Sequence, residues 1–158
     1  MFRHINGYYS YCNSFILTQV YSSKNNSICE EEQVNLIVSQ YGVITSPHYP
    51  KWTTNARCGI LLTAPESSTI RVYISDLNTE AANDEGRCER GSLTLRSGTS
   101  FIHYCGDKTP SGEYVFLSCD NTLVINYTSS SIASTTNRGF NLYYEGKIDN
   151  LKKVLKYI

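Results

Sequence analysis

An active site is what this sequence most plainly lacks. It carries no H-E-x-x-H metalloprotease helix, no G-x-S-x-G nucleophile elbow and no glycine-rich phosphate loop, so the parts that hydrolase and nucleotide chemistry require are missing. No two cysteines stand in a C-x-x-C pair, which leaves no local spacing for wrapping a zinc ion or poising a redox thiol. Charge of one sign is lacking as well, because 14 basic residues meet 14 acidic ones for a formal net of zero. Without a net field the chain has no whole-molecule attraction for nucleic acid or an anionic membrane. Nor does any apolar run approach the length of about eighteen residues that marks a membrane-spanning helix.

The N-terminus is equally short of targeting signal. Met1 to Ser14 reads MFRHINGYYSYCNS, without the continuous apolar centre of a secretory leader. Either a leader has been removed or the chain is a piece of a longer protein. The three histidines, His4, His48 and His103, are far apart in sequence, and structural or surface roles suit them better than catalysis. A cysteine nucleophile would need a thiolate with a neighbouring base, and the cysteines here have another use.

What is present is tyrosine and cysteine: thirteen of the first and six of the second in 158 residues. Tyrosine fits half-buried strands and also contact surfaces where an apolar ring needs a polar end. The cysteines stand at positions 12, 29, 58, 88, 105 and 119, an even number at wide spacings that reads as a disulfide framework of open connectivity. Disulfides imply folding in an oxidising compartment. Two Asn-x-Ser/Thr acceptor sites, at Asn25 and Asn126, agree with a secreted, glycosylated protein.

Period-two alternation recurs along the chain. Ile70, Val72 and Ile74 alternate with Arg71, Tyr73 and Ser75, and the pattern returns at Leu93 and Leu95, at Leu123, Ile125 and Tyr127, and at Phe140, Leu142 and Tyr144. Breaks at Ser46–Pro50, Ala64–Ser68 and Gly106–Gly112 are rich in turn residues. Short strands with such breaks predict an all-β, antiparallel two-sheet sandwich. Length allows one domain, burying about two thirds of its unfolded surface. Gln19 to Ser27 is polar and turn-rich, so residues 1–28 read as an N-terminal segment and linker ahead of a main domain at 29–145. Residues 146–158 read as an amphipathic C-terminal helix or tail: Ile148, Leu151, Val154, Leu155 and Ile158 fall at helical spacing, with Lys152, Lys153 and Lys156 opposite. Such a short helix is marginal alone in water and is expected to dock on the body or a neighbour.

The segment Cys29 to Tyr144 resembles a CUB domain. The resemblance rests on Gly42-Val43-Ile44-Thr45-Ser46-Pro47-His48-Tyr49-Pro50, on Cys58 followed by Ala64-Pro65, and on Ile70 to Glu80. It continues through Cys88 with Leu93 and Leu95, Tyr104-Cys105-Gly106, the strand Leu123 to Tyr127, and Gly139-Phe140 to Tyr144. Ile60 stands where the family often has tryptophan, a change in core volume but not in polarity. The resemblance implies a jelly-roll sandwich with Cys29 paired to Cys58 and Cys88 to Cys105, each bridge contributing about 3 to 4 kcal/mol on a chain-entropy model. Cys12 and Cys119 are then left as a third pair, or as free or intermolecular thiols.

Many family members bind calcium through a glutamate and two aspartates. Here only Glu80 matches, with Gly91 and Ser130 at the other two positions, and calcium needs six to eight oxygens. The resemblance therefore implies no family-type metal site, although Asp84 and Glu85 in the loop before Cys88 offer substitute oxygens. No cofactor is expected. The expected function is an extracellular, non-catalytic module that recognises a protein partner, with Tyr8, Tyr9, Tyr11 and Tyr41 among its tyrosines. Alternatives are an accessory module of a larger secreted, astacin-like protease, or a calcium-independent glycan-binding protein.

Overall fold

A computed structural model describes residues 3–5, 8–10, 24–29, 33–35, 41–108 and 115–148. Its strands are β1 (Arg3–Ile5), β2 (Tyr8–Ser10), β3 (Lys24–Ser27), β4 (Gln33–Asn35), β5 (Tyr41–Thr45), β6 (Arg57–Thr63) and β7 (Ser68–Asn78). They continue as β8 (Ser92–Ser97), β9 (Ser100–Tyr104), β10 (Asp107–Lys108), β11 (Phe116–Leu117), β12 (Thr122–Thr128) and β13 (Gly139–Ile148). β1 and β2 form a separate short hairpin. The other strands form a six-stranded sheet, β10-β7-β13-β5-β3 with β11 also on β7, and a five-stranded sheet, β4-β6-β12-β8-β9. Pairing is antiparallel except at one edge of each sheet, where β3 lies parallel to β5 and β4 parallel to β6.

The period-two pattern does the folding work. Alternate residues of β7 and β12 are buried while their neighbours face out, the geometry of a sheet with one dry face. From one sheet come Ile44, Ile70, Val72, Leu77, Phe140, Leu142 and Tyr144, and from the other Ile60, Leu62, Leu93, Leu95, Leu123, Ile125 and Tyr127. The rings of Tyr127 and Phe140 meet edge to face across the layers, centroids 5.1 Å apart, within the favourable range for aromatic pairs. Ile60 takes its place in this core at 1% exposure.

Two bridges staple the layers and their loops: Cys29 to Cys58 and Cys88 to Cys105. Cys119 is buried, its sulfur 3.5 Å from the Ser100 hydroxyl. Cys12 lies outside the described residues, as does Tyr11.

At both ends of the main domain, strand pairing reaches further than the pattern predicted. Lys24–Ser27, assigned from composition to the linker, pairs with Gly42–Thr45 as an edge strand. Its Asn and Ser have little intrinsic strand preference, so the exposed ladder of β5 supplies what local sequence does not. Gly146, Lys147 and Ile148, assigned to the C-terminal helix or tail, instead complete β13 opposite Ile70, Thr69 and Ser68. Ladder hydrogen bonds to β7 outweigh the first residue of the helical pattern, Ile148, and Gly146 just before it is a poor helix residue. The rest of the predicted helix, residues 149–158, lies outside the described residues.

Candidate functional site at the loop end of the sandwich

Three loops gather at one end of the sandwich: 46–56 between β5 and β6, 79–91 between β7 and β8, and 129–138 between β12 and β13. Backbone and serine side chains tie them together. Asn55 N donates to Ser130 O at 2.8 Å. Ser129 Oγ donates to Thr53 O at 2.6 Å and accepts from Ala56 N at 2.9 Å. Trp52 Nε1 donates to Ile132 O at 3.0 Å. The Trp52 ring packs against the core, while Ile132 is 53% exposed at the tip.

Glu80 lies between these loops. Its backbone oxygen accepts from Gly106 N at 3.0 Å, and Thr79 N donates to Gly106 O at 2.9 Å, so the Cys88–Cys105 bridge one residue away holds this strand end in place. Ser130 Oγ donates to Glu80 Oε1 at 3.0 Å. Oε2 is buried and meets no hydrogen-bond donor among the described residues. Gly91 closes the third side: a Cβ placed there would lie 3.1 Å from Thr128 O and 3.6 Å from Glu80 Oε2. Glu80, Gly91 and Ser130, far apart in sequence, are therefore brought to one spot. Burial pushes the pKa of the adjoining Tyr127 hydroxyl upward, the Glu80 charge adds to that, and Ser129 opposes it.

Asp84 and Glu85 do not join this group. Asn83 Oδ1 accepts from Glu85 N at 3.0 Å and Arg87 N at 2.9 Å, a side-chain turn that keeps the acidic tip exposed, and Glu85 pairs with Arg87. Among the described residues no three of His, Cys, Asp and Glu come together as a metal-binding set.

A second polar cluster flanks the loops. Arg138 grips Asp76 with two bonds, Nε to Oδ2 at 3.0 Å and Nη2 to Oδ1 at 2.7 Å, and the Tyr49 hydroxyl donates to Oδ2 at 2.8 Å. The Arg138 bonds hold the Asp76 carboxyl below its ordinary pKa, helped by Tyr49 and opposed by burial. The residue pattern contained no sign of this cluster beyond the S-P-x-Y-P loop that carries Tyr49. Likewise, Tyr41, Tyr73 and Tyr143 line the outer face of the six-stranded sheet, Tyr143 standing 5.8 Å from Tyr41 and 5.5 Å from Tyr73 between ring centroids. Of the tyrosines singled out by sequence, Tyr41 joins this row. Tyr8 and Tyr9 lie on β2. His103 is exposed beside Phe101 and 2.8 Å from Thr94 Oγ1, and His48 sits in the turn of the Ser46–Pro50 loop with φ of 56°.

A family model described as "CUB domain" matches residues 29–144, the span that holds both bridges, both sheets and the Glu80 loop. The chain belongs to the CUB domain family. Its relatives include cubilin of Sus scrofa, 35% identical over 109 residues, covering 65% of this chain and 3% of cubilin. Complement C1s-1 subcomponent of Mus musculus is 30% identical over 108 residues, covering 66% of this chain and 15% of that protein. Thus the chain spans a small fraction of the curated relatives it matches. Among solved structures, the MASP-1 CUB2 domain bound to Ca2+ superposes with a TM-score of 0.54 at 26% identity, covering 70% of this chain and 96% of that one. The CUB1-EGF-CUB2 domains of rat MASP-1 give a TM-score of 0.60 at 20% identity over 90% of this chain and 50% of that one, a likeness of fold. CUB domains are binding modules, and this CUB domain is non-catalytic. No helix among the described residues is long and apolar enough to cross a membrane.

Proposed function

We propose that this CUB domain is an extracellular protein-recognition module that presents a pre-ordered loop end to its partner and does so without calcium. The observation that carries the reading is the mutual tying of the three loops through Ser129, Ser130 and Trp52. Loops already held in one arrangement cost less to order on binding, and their tip shows an exposed apolar side chain, Ile132, whose burial against a partner would be favourable.

Calcium independence is supported by the donor set. The ion needs six to eight oxygens, whereas the spot holds one carboxylate, a hydroxyl already donating to it and a glycine with no side chain to offer. These residues do not fit the ion. A ligand that binds the native state raises its melting midpoint, so the midpoint of the purified domain should be the same in calcium and in chelator. A downward shift in chelator would overturn this part.

The recognition reading is tested by displaying the secreted domain against a panel of secreted and cell-surface ectodomains, alongside an Ile132→Asp variant. A binder that weakens at least tenfold with Ile132→Asp and persists in chelator supports it. Binding only to a glycan array would transfer the role to carbohydrate. A second reading, service as one module of a larger secreted protease, is favoured by a relative named calcium-dependent serine proteinase, of Mesocricetus auratus, which the chain covers to 16%. A transcript joining this reading frame to a protease domain would decide for it.

A further inference from the structure

The outer face of the five-stranded sheet carries an asparagine at its centre. Asn126 is exposed on β12, the middle strand of five, and Thr128, two residues on, is exposed on the same face. The two complete the acceptor sequence Asn126-Tyr127-Thr128, with Tyr127 turned into the core at 1% exposure. Asn126 stands in register with Gly59 of β6 on one side and Thr94 of β8 on the other. A Cβ at Gly59 would lie 2.5 Å from Asn126 Oδ1, so any larger residue there would turn the exposed amide to another rotamer. In this structure the Asn126 amide lies over Gly59, in the space its missing side chain leaves. Its neighbours on that face are half-buried Leu61 and Val124, themselves in register.

We propose that Asn126 carries an N-linked glycan that lies across β6 and β12 and covers the outer face of the five-stranded sheet around Gly59, Leu61 and Val124. In the transfer, Nδ2 of Asn126 bonds to the anomeric carbon of an oligosaccharide carried on a lipid diphosphate. The bond from that carbon to the diphosphate oxygen breaks, the lipid diphosphate leaves, and the amide gives up one proton. A glycan is bulky and solubilising, so this face is removed from protein contact and its apolar side chains from water. Partner contact is then confined to the loop end and the tyrosine row of the other sheet. The proposal stands apart from the recognition reading, since the sugar is present or absent whatever the partner.

The experiment uses the full chain secreted from a eukaryotic host. Peptide mass mapping is expected to find the oligosaccharide on Asn126, and Asn126→Gln to lose that mass increment. Hydroxyl-radical labelling of Leu61 and Val124 is expected to rise several-fold after amidase deglycosylation, which leaves an aspartate at position 126 in an already folded chain, while labelling of Tyr41 stays constant. Gly59→Ala is expected to keep the glycan but raise Leu61 labelling toward the deglycosylated level, because the Asn126 amide turns away from β6. An unmodified Asn126 in secreted protein overturns the site. A modified Asn126 with Leu61 and Val124 labelled equally in both forms overturns the covering.

Discussion

Asp76 shows how one side chain couples acidity to stability. Its carboxyl is held below the ordinary value chiefly by the Arg138 bonds, so the folded state binds its proton less readily than the unfolded chain. A depressed folded pKa contributes stability that is fully present above the unfolded carboxylate value of about 3.9 and is lost as pH falls through the folded value. Asp76→Asn is expected to cost about 1 kcal/mol at neutral pH, a modest figure because the pair is partly wet. It should also flatten the acid-side fall of the melting midpoint below about pH 4. Thermal melts of both proteins across pH 3 to 7 check the sign.

Gly139 is a second single-residue constraint. Its φ is 89°, in the left-handed region that L side chains rarely adopt. A Cβ there would overlap the Ser46 hydroxyl and come within 2.9 Å of Ser46 Cβ. That hydroxyl is not free to move, since it accepts from Phe140 N at 3.0 Å inside the core. Gly139→Ala is therefore expected to destabilise the domain by roughly 1–3 kcal/mol, read as a lower denaturant midpoint at unchanged m-value. Gly98, with positive φ but nothing within 4 Å of its missing side chain, is the control that should lose less.

Among the elements, β7 does most to organise the molecule: it pairs with β13 along ten registered positions and also receives β10 and β11. A shift of register between Asn141 and Leu142 re-aims β13 against it, which is the ordinary effect of a bulge. The Cys88–Cys105 bridge joins the loop after β7 to the end of β9 across a separation of 17 residues. Replacing both cysteines by alanine is expected to cost about 3 kcal/mol on the loop-closure model, measured by chemical denaturation. The amides of Thr79 and Gly106, bonded beside the bridge, should lose hydrogen-exchange protection before β12 and β13 do, because local opening starts where few contacts remain.

For the molecule as a whole, the balance of 14 basic and 14 acidic residues bears on how it meets a partner. Long-range steering needs a net field and is screened by salt over about 8 Å at physiological ionic strength. Association of the domain with a protein partner is accordingly expected to change its on-rate by less than about threefold between low and physiological salt. A steeper dependence in stopped-flow mixing would mean that a local charged patch governs the encounter.

The two-layer architecture was legible because side-chain alternation in a strand is a local property: Ile70 to Ile74 and Leu123 to Tyr127 announce their buried face residue by residue. The Cys29–Cys58 and Cys88–Cys105 pairs came from motif order rather than from chemistry visible in the chain, and the structure holds both. Glu80, Gly91 and Ser130 could be named beforehand, but the bond from Ser130 to Glu80 could not. Nor could the grip of Arg138 and Tyr49 on Asp76, the row of Tyr41, Tyr143 and Tyr73, or the space above Gly59 that admits Asn126. Each of these joins residues tens of positions apart, and nothing in a strand's own sequence says which strand will lie beside it. Sequence alone determined which residues turn inward, because burial periodicity is set within a few residues of backbone. Tertiary structure decided strand partners, the reach of β3 and β13 past the expected boundaries, and the contents of every surface, because ladder pairing and loop contact are settled between distant parts of the chain.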